Sequence, residues 1–189
     1  AAKADLASEE GLALAYKMMT TLNKSARDAM VKYNVHACTD VTGFGLLGHS
    51  YEMASGSDVT IVLEGEKLPL MSGARDLASM GIVPGGAYRN MDYVGPHMRQ
   101  TETAVQALVD LAADPQTSGG LLVALPPEDA RDLLERLAEL KYAGNNAHEP
   151  QLVRTLIEQA RSLIGDITRS QAEEIAAAAE IAKVKKHSV

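Results

Sequence analysis

The sequence predicts an α/β (α+β) domain with a mixed sheet flanked by helices, and three observations favour this class. Short β-branched or apolar runs fit strands at 35–39, 58–63 and 121–125. Longer segments follow a helical apolar period, most clearly over 127–141. The two kinds of segment alternate irregularly without an internal repeat, which indicates helices packed on a sheet.

Five further helices are expected, over 8–20, 23–34, 43–54, 70–80 and 103–112. Ser8 and Asn23 are of the residue types that cap the first two helices. The stretch 81–96 (GIVPGGAYRNMDYVGP) is rich in Gly and Pro and predicts a long ordered loop. Its only cation, Arg89, could reach an anion or simply be solvated.

The composition is globular, with 46% hydrophobic and 23% charged residues in 189. That length suits one domain, with room for an appendage. The formal net charge of −7 disfavours a polyanionic partner, so we expect no nucleic acid. The sequence contains no apolar run long enough to span a bilayer and no signal peptide, so we expect no membrane and a cytoplasmic location.

The first segment with chemical potential runs from His36 to Gly45 (HACTDVTGFG), where a strand leads through a turn into a helix. Asp40 offers the hard oxygen ligands that Mg²⁺ prefers. Gly43 and Gly45 allow the backbone to approach a ligand, and the helix N-terminus presents N–H groups to a phosphate. In the alternative, this is a structural connection in which Asp40 only caps the turn.

The second such segment, residues 114–120 (DPQTSGG), lies directly before an apolar strand. Asp114, Thr117 and Ser118 are its candidate binding side chains. A tight turn explains its proline and glycines but does not need so many polar groups. Turns closed by Asp or hydroxyl side chains are the structural alternative.

The single cysteine, Cys38, excludes an intramolecular disulfide. Its place within a predicted strand indicates a small buried residue rather than a reactive thiol. His36 and His49 are too far apart in pattern to form a zinc site with it. After residue 142 the character changes: residues 143–189 predict a mainly helical tail with a strand at 163–167.

Three stretches together resemble the successive signatures of the selenophosphate synthetase (selenide, water dikinase) family: HACTDVTGFGLLGH, LPLMSGARDLASMGIVPGGAYRN and ADPQTSGGLLVALP. The resemblance covers roughly residues 1–142 and is to the carboxy-terminal domain of that family. It implies the fold shared by the wider aminoimidazole ribonucleotide synthetase superfamily. It also implies conversion of ATP, selenide and water to selenophosphate, AMP and phosphate, with Mg²⁺.

The resemblance assigns residues as well. Asp40 matches a metal ligand, and Thr42, Gly43 and Gly45 would line the phosphate side. Asp114, Thr117 and Ser118 would lie near the same cleft. The family's catalytic Cys or selenocysteine, its partner Lys and its nucleotide loop belong to an amino-terminal ATP-binding domain that is absent from these 189 residues.

We therefore expect no catalytic residue in this chain and no activity from it alone, and a homodimer for the full-length protein. Two other functions stay open. One is an ATP-dependent member of the same superfamily with a different acceptor. The other is a non-catalytic binding or interaction domain.

Overall fold

The structure, a computed structural model, describes residues 6–143. The tail predicted for 143–189, with its strand at 163–167, lies outside them except for its first residue. Within the described range the chain forms α1 (Glu9–Thr20), α2 (Lys24–Met30), β1 (Ala37–Asp40), α3 (Gly45–Ser57), α4 (Ala74–Ser79), α5 (Gly85–Val94), α6 (Gln106–Ala112), β2 (Leu121–Ala124) and α7 (Pro127–Ala143). Short 3₁₀ turns occupy Gly65–Lys67 and Gly95–His97.

The predicted α/β (α+β) class is confirmed, and the sheet within residues 6–143 is a two-stranded antiparallel pair. Ala37 pairs with Ala124 at one end of the ladder and Asp40 with Leu121 at the other. Strands β1 and β2 lie far apart in the sequence, so the ladder brings the segments that follow β1 and precede β2 together. These are the two segments singled out above for their chemistry.

Helices α3, α5 and α6, with the residue that caps the C-terminus of α6, supply the buried core cluster: Leu47, Ala87, Val94, Ala112 and Ala113. The small alanines let these helices approach closely, and larger, partly buried side chains such as Tyr51 and Leu63 fill the periphery. Helix α4 packs on α6, and α2 packs on α7. In the described part of the chain, no helix combines the length and apolar content needed to cross a membrane.

The N-cap of α1 is confirmed, because the backbone N–H of Gly11 donates to Ser8 Oγ at 3.0 Å. Asn23 does occupy the N-cap position of α2, but its side chain makes no capping hydrogen bond. Helix α2 ends at Met30, earlier than predicted.

The strand predicted at 58–63 is wrong. Asp58 adopts a left-handed conformation (φ 53°) that ends α3, and no strand forms in the residues that follow. Val59 and Val62 are more than half exposed. β-branched residues favour a strand only when a neighbouring strand offers a pleated surface to pack on, and β1 and β2 pair with each other instead.

The loop predicted over 81–96 is also wrong, since α5 spans ten of its residues. Pro84 is extended at the N-cap position, where its lack of an N–H costs nothing. Ala87, Asn90 and Val94 then bury one face at helical spacing. Burial of that face outweighs the low helix propensity of the two glycines that open the helix.

Candidate functional site

Two glycine-rich loops, residues 41–45 and 113–120, are joined through their backbones and are called here the loop junction. Val41 N–H donates to Gly120 O at 2.9 Å, and Gly119 N–H donates to Val41 O at 2.9 Å. Gln116 N–H donates to Thr42 O at 3.0 Å. These bonds continue the β1–β2 ladder past its end, so the geometry of each loop depends on the other.

Gly45 makes the closest contact across the loop junction. It has φ +68°, and a Cβ placed on it would lie 2.7 Å from the carbonyl carbon of Ala113. Gly45 therefore serves contact between loops rather than the approach of a ligand. Gly43 fits the sequence prediction better, because it is exposed and a Cβ there would meet no atom within 4 Å.

Asn90 of α5 lies beneath the loop junction with only 7% of its surface exposed. Its Nδ2 donates to Gly43 O and to Ala113 O, each at 2.9 Å. One amide group therefore satisfies one carbonyl from each loop. Sequence reasoning missed this role, although a polar residue on the same helical face as Ala87 and Val94 is a signal that could have found it.

Asp40, the predicted metal ligand, is the last residue of β1 and is exposed. It lines a wide-open concavity of about 650 Å³. The lining also includes Lys24 and Arg27, which both bind Asp28, at 2.6 and 2.7 Å. The hydrogen bond from Lys24 and then that from Arg27 lower the pKa of Asp28, so its ionised carboxylate offsets one of the two positive charges.

A complete metal site is not present in residues 6–143, where no three His, Cys, Asp or Glu side chains are grouped to hold an ion. Asp40 alone fits Mg²⁺ in one way. Mg²⁺ often binds proteins through one or two carboxylates and takes its other ligands from water and phosphates. Asp40 therefore suits a Mg²⁺ ion that takes its remaining ligands from water and phosphates. It does not suit an ion held by side chains of residues 6–143 alone.

The other predicted binding side chains lie on the second loop of the junction, and the lining of the Asp40 concavity does not include them. Asp114 is half-buried, and its Oδ2 accepts a 2.6 Å bond from Gln116 Nε2. Burial raises the pKa of Asp114, and the bond from Gln116 partly opposes that rise. Ser118 Oγ donates to Thr21 O at 3.2 Å, whereas Thr117 is exposed.

Cys38 is exposed, so the expectation that it is buried is wrong. Residues alternate between faces along a strand, and Cys38 falls on the more exposed face of β1 with Asp40. Its Sγ lies 3.6 Å from Met30 Sδ. Partial desolvation first, and then the charge of Asp40, raise the pKa of the thiol, which disfavours the reactive thiolate.

His49 connects the loop junction to α3 and is 8% exposed. Its Nε2 lies 3.2 Å from Thr42 Oγ1, and its Nδ1 lies 3.2 Å from Glu52 Oε2. The ring of Phe44 meets the imidazole edge-on at 5.7 Å. Sequence reasoning considered His49 only as a zinc ligand and missed this hydroxyl–imidazole–carboxylate series.

These features define an α+β domain in which two glycine-rich loops meet at one end of an antiparallel strand pair, beside the exposed carboxylate of Asp40. The chain belongs to the family described as AIR synthase related protein, C-terminal domain, which matches residues 2–144.

Relatives in this family carry a more particular name. The chain is 48% identical over 137 residues to the selenide, water dikinase of Clostridium botulinum (strain Eklund 17B / Type B), covering 72% of this chain and 40% of that protein. It is 48% identical over 146 residues to the selenide, water dikinase of Caldanaerobacter subterraneus subsp. tengcongensis, covering 76% and 42%. The enzyme of the same name from Treponema denticola is 46% identical over 139 residues, covering 74% and 39%. The matched part of the chain thus spans about two fifths of these relatives.

Proposed function

We propose that this chain is the carboxy-terminal domain of an ATP-dependent selenophosphate synthetase. The full-length protein would convert ATP, selenide and water to selenophosphate, AMP and phosphate. The observation that carries the proposal is the 48% identity, over 137 residues, to a relative named selenide, water dikinase. Because the chain spans 40% of that relative, the activity is proposed for a longer protein that includes it.

In this proposal Asp40 contributes one carboxylate ligand to Mg²⁺ that is also held by the phosphates of ATP. Its exposure at the end of β1 supports that role. Mg²⁺, when bound, neutralises phosphate charge while both phosphoanhydride bonds are broken. The acidic chain needs such local neutralisation to bind a nucleotide, since its formal net charge is −7.

Thr42 and Gly43 are proposed to face the phosphates, with the N-terminus of α3 directly behind them, and the buried Gly45 is proposed to shape that turn through its contact with Ala113. The open surface at Gly43 and the partial positive charge of a helix N-terminus support this assignment. Asp114, Thr117 and Ser118 are assigned to the same cleft. Asp114 and Ser118 already bond Gln116 and Thr21, which favours a supporting role for them over direct contact with ATP.

An amino-terminal domain, absent from these 189 residues, would supply the nucleophile, its partner Lys and the nucleotide loop. We propose a cytoplasmic homodimer for the full-length protein, with no nucleic acid or membrane as partner. The chain alone should be inactive, and selenide-dependent AMP formation by it would contradict this.

The experiment is selenide-dependent AMP formation by the full-length protein, comparing wild type with Asp40→Ala. Asp76→Ala is the control, because Asp76 is an exposed carboxylate on α4. Asp40→Ala should lose nearly all AMP formation with its fold intact, and the control should keep it. Equal activity in Asp40→Ala and wild type would remove Asp40 from the site.

A second candidate is another ATP-dependent enzyme of the superfamily with a different acceptor. The breadth of the matching family, which is described only as AIR synthase related, favours keeping it. ATP consumption that does not require selenide would select this candidate. If the full-length protein does not use ATP at all, a non-catalytic binding or interaction domain replaces both.

A further inference from the structure

Thr42, His49 and Glu52 form a hydrogen-bonded series that runs from the candidate site, through a buried imidazole, to an exposed carboxylate on α3. The imidazole is 8% exposed, whereas the Glu52 side chain is 45% exposed. The two ring nitrogens face different groups, the Thr42 hydroxyl at 3.2 Å and the Glu52 carboxylate at 3.2 Å. Both contacts are within hydrogen-bonding distance.

The series fixes where the protons lie when the imidazole is neutral. A neutral imidazole has one donor and one acceptor nitrogen, and an ionised carboxylate only accepts. Nδ1 must therefore carry the proton to bond with Glu52, which leaves Nε2 as an acceptor. Only the Thr42 hydroxyl can then supply the proton between Oγ1 and Nε2.

A hydroxyl whose proton is committed can no longer donate to another group. Its oxygen keeps lone pairs that accept a hydrogen bond or bind a cation. A phosphate oxygen is itself an acceptor, so it would gain no hydrogen bond from this hydroxyl. The groups that complement Thr42 Oγ1 are therefore hydrogen-bond donors and cations, and in a site that holds phosphates these include a divalent cation and the water bound to it.

We propose that His49 and Glu52 are positioning residues that hold the Thr42 hydroxyl with its oxygen available to the divalent cation of the site. This inference rests on the proposed function for the presence of that cation. It makes the Thr42 hydroxyl a ligand of the cation or of its bound water, instead of a hydrogen-bond donor to a phosphate. His49 acts through Thr42 and does not itself touch a substrate. Glu52 acts one step further away, by fixing the tautomer.

The tautomer is measured by ¹⁵N NMR of the 189-residue chain at alkaline pH, where chemical shifts distinguish a protonated from an unprotonated ring nitrogen. The expected result is a protonated Nδ1 and an unprotonated Nε2 for His49. Glu52→Ala should raise the fraction with a protonated Nε2. A wild-type chain with Nε2 protonated would overturn the proposal, whatever the activity of the full-length protein.

The role of Thr42 in cation binding is tested with Mn²⁺ and a non-hydrolysable ATP analogue. The affinity of the full-length protein for Mn²⁺ is measured from the EPR signal of the free ion. Thr42→Val keeps the shape and removes the oxygen, and it should weaken Mn²⁺ binding about 10- to 100-fold, as for groups that support a metal site. Thr42→Ser should bind as wild type. Unchanged Mn²⁺ binding by Thr42→Val would overturn the proposal.

Two substitutions of His49 separate positioning from packing. Glutamine places its amide near the position of Nε2 and can still accept the hydrogen bond from the Thr42 hydroxyl. Asparagine places its amide near the position of Nδ1, too far from Thr42 to accept that bond. His49→Gln should therefore keep Mn²⁺ binding within about threefold of wild type, and His49→Asn should weaken it as Thr42→Val does. Equal effects of the two would indicate packing alone and would overturn the proposal.

These readouts do not depend on selenide. If the tautomer and the Mn²⁺ results hold but no AMP forms with selenide, the proposed reaction is wrong and the role of Thr42 stands. If AMP forms with selenide but Thr42→Val binds Mn²⁺ normally, the reaction stands and this inference is wrong.

Discussion

The loop junction and helix α1 are held in place in different ways. The loop junction is fixed by backbone hydrogen bonds between its two loops, by the buried amide of Asn90 and by the close backbone contact of Gly45 with Ala113. No residue of α1 is buried, and Tyr16 on it is 63% exposed. Helix α1 buries none of its residues and so depends less on tertiary packing, whereas the junction requires several specific residues at once. The junction should therefore respond sharply to single substitutions and α1 should not.

The largest effect is expected for Gly45→Ala, which breaks the junction. Alanine must adopt φ +68° and place its Cβ 2.7 Å from the backbone of Ala113. We expect a loss of about 3–5 kcal/mol in the free energy of unfolding, measured by urea denaturation.

Two glycines provide matched controls for that substitution. Gly73 shares a positive φ, +76°, but its Cβ would meet nothing within 4 Å, so Gly73→Ala should cost about 1 kcal/mol. Gly43→Ala lacks both problems and should change stability by less than about 0.5 kcal/mol. Equal losses at Gly45 and Gly73 would show that backbone contact across the junction contributes nothing.

A slightly smaller effect is expected for Asn90→Asp, which replaces the shared donor by an acceptor facing two carbonyl oxygens. A buried carboxylate with no donor should cost about 3 kcal/mol at neutral pH. The loss should shrink on acidification, because a protonated carboxyl can again donate to one carbonyl. A loss that does not vary with pH would contradict this account of Asn90.

Asp114→Asn tests a second polar residue of the loop junction. It should change the free energy of unfolding less than Asn90→Asp does. Burial raises the pKa of Asp114 above 3.8 in the folded chain. The folded state therefore binds a proton that the unfolded state releases, and wild type loses stability as pH rises through the folded pKa. Asparagine should remove that part of the loss while still accepting from Gln116. If urea unfolding gives wild type and Asp114→Asn the same dependence of stability on pH, this account of Asp114 is wrong.

The smallest global effect is expected for Ser8→Ala in α1. Loss of the 3.0 Å cap should destabilise the first turn of α1 by about 1 kcal/mol. Hydrogen exchange of the α1 amides should become faster while the amides of the loop junction keep their protection. Parallel acceleration in both regions would mean that α1 and the junction unfold together.

The same contrast explains what the sequence could predict. The capped helix α1 and the amphipathic α7 follow from local pattern, and so do the strands β1 and β2. Helix α5 was missed because its two leading glycines disfavour a helix locally, and burial against α3 and α6 outweighs that. The strand predicted at 58–63 failed for the converse reason, since its local propensity is high and it has no strand partner among the described residues.

The candidate site divides in a similar way. Its loops could be found from composition, because carboxylates, hydroxyls and glycines cluster there. Asn90 and His49 could not, because their roles depend on which loop each helix passes beneath, and that is set by tertiary packing. The exposure of Cys38 likewise depends on which face of β1 is covered.

The ladder that joins β1 to β2 also has a consequence for the order in which the molecule assembles. Every bond between Val41 and the 119–120 segment closes a loop that contains α3, α4, α5 and α6. The entropic cost of that closure must be met before these bonds form, so contacts this distant in sequence form slowly. During synthesis, the first loop emerges long before its partner exists. We therefore expect the candidate site to form late in folding.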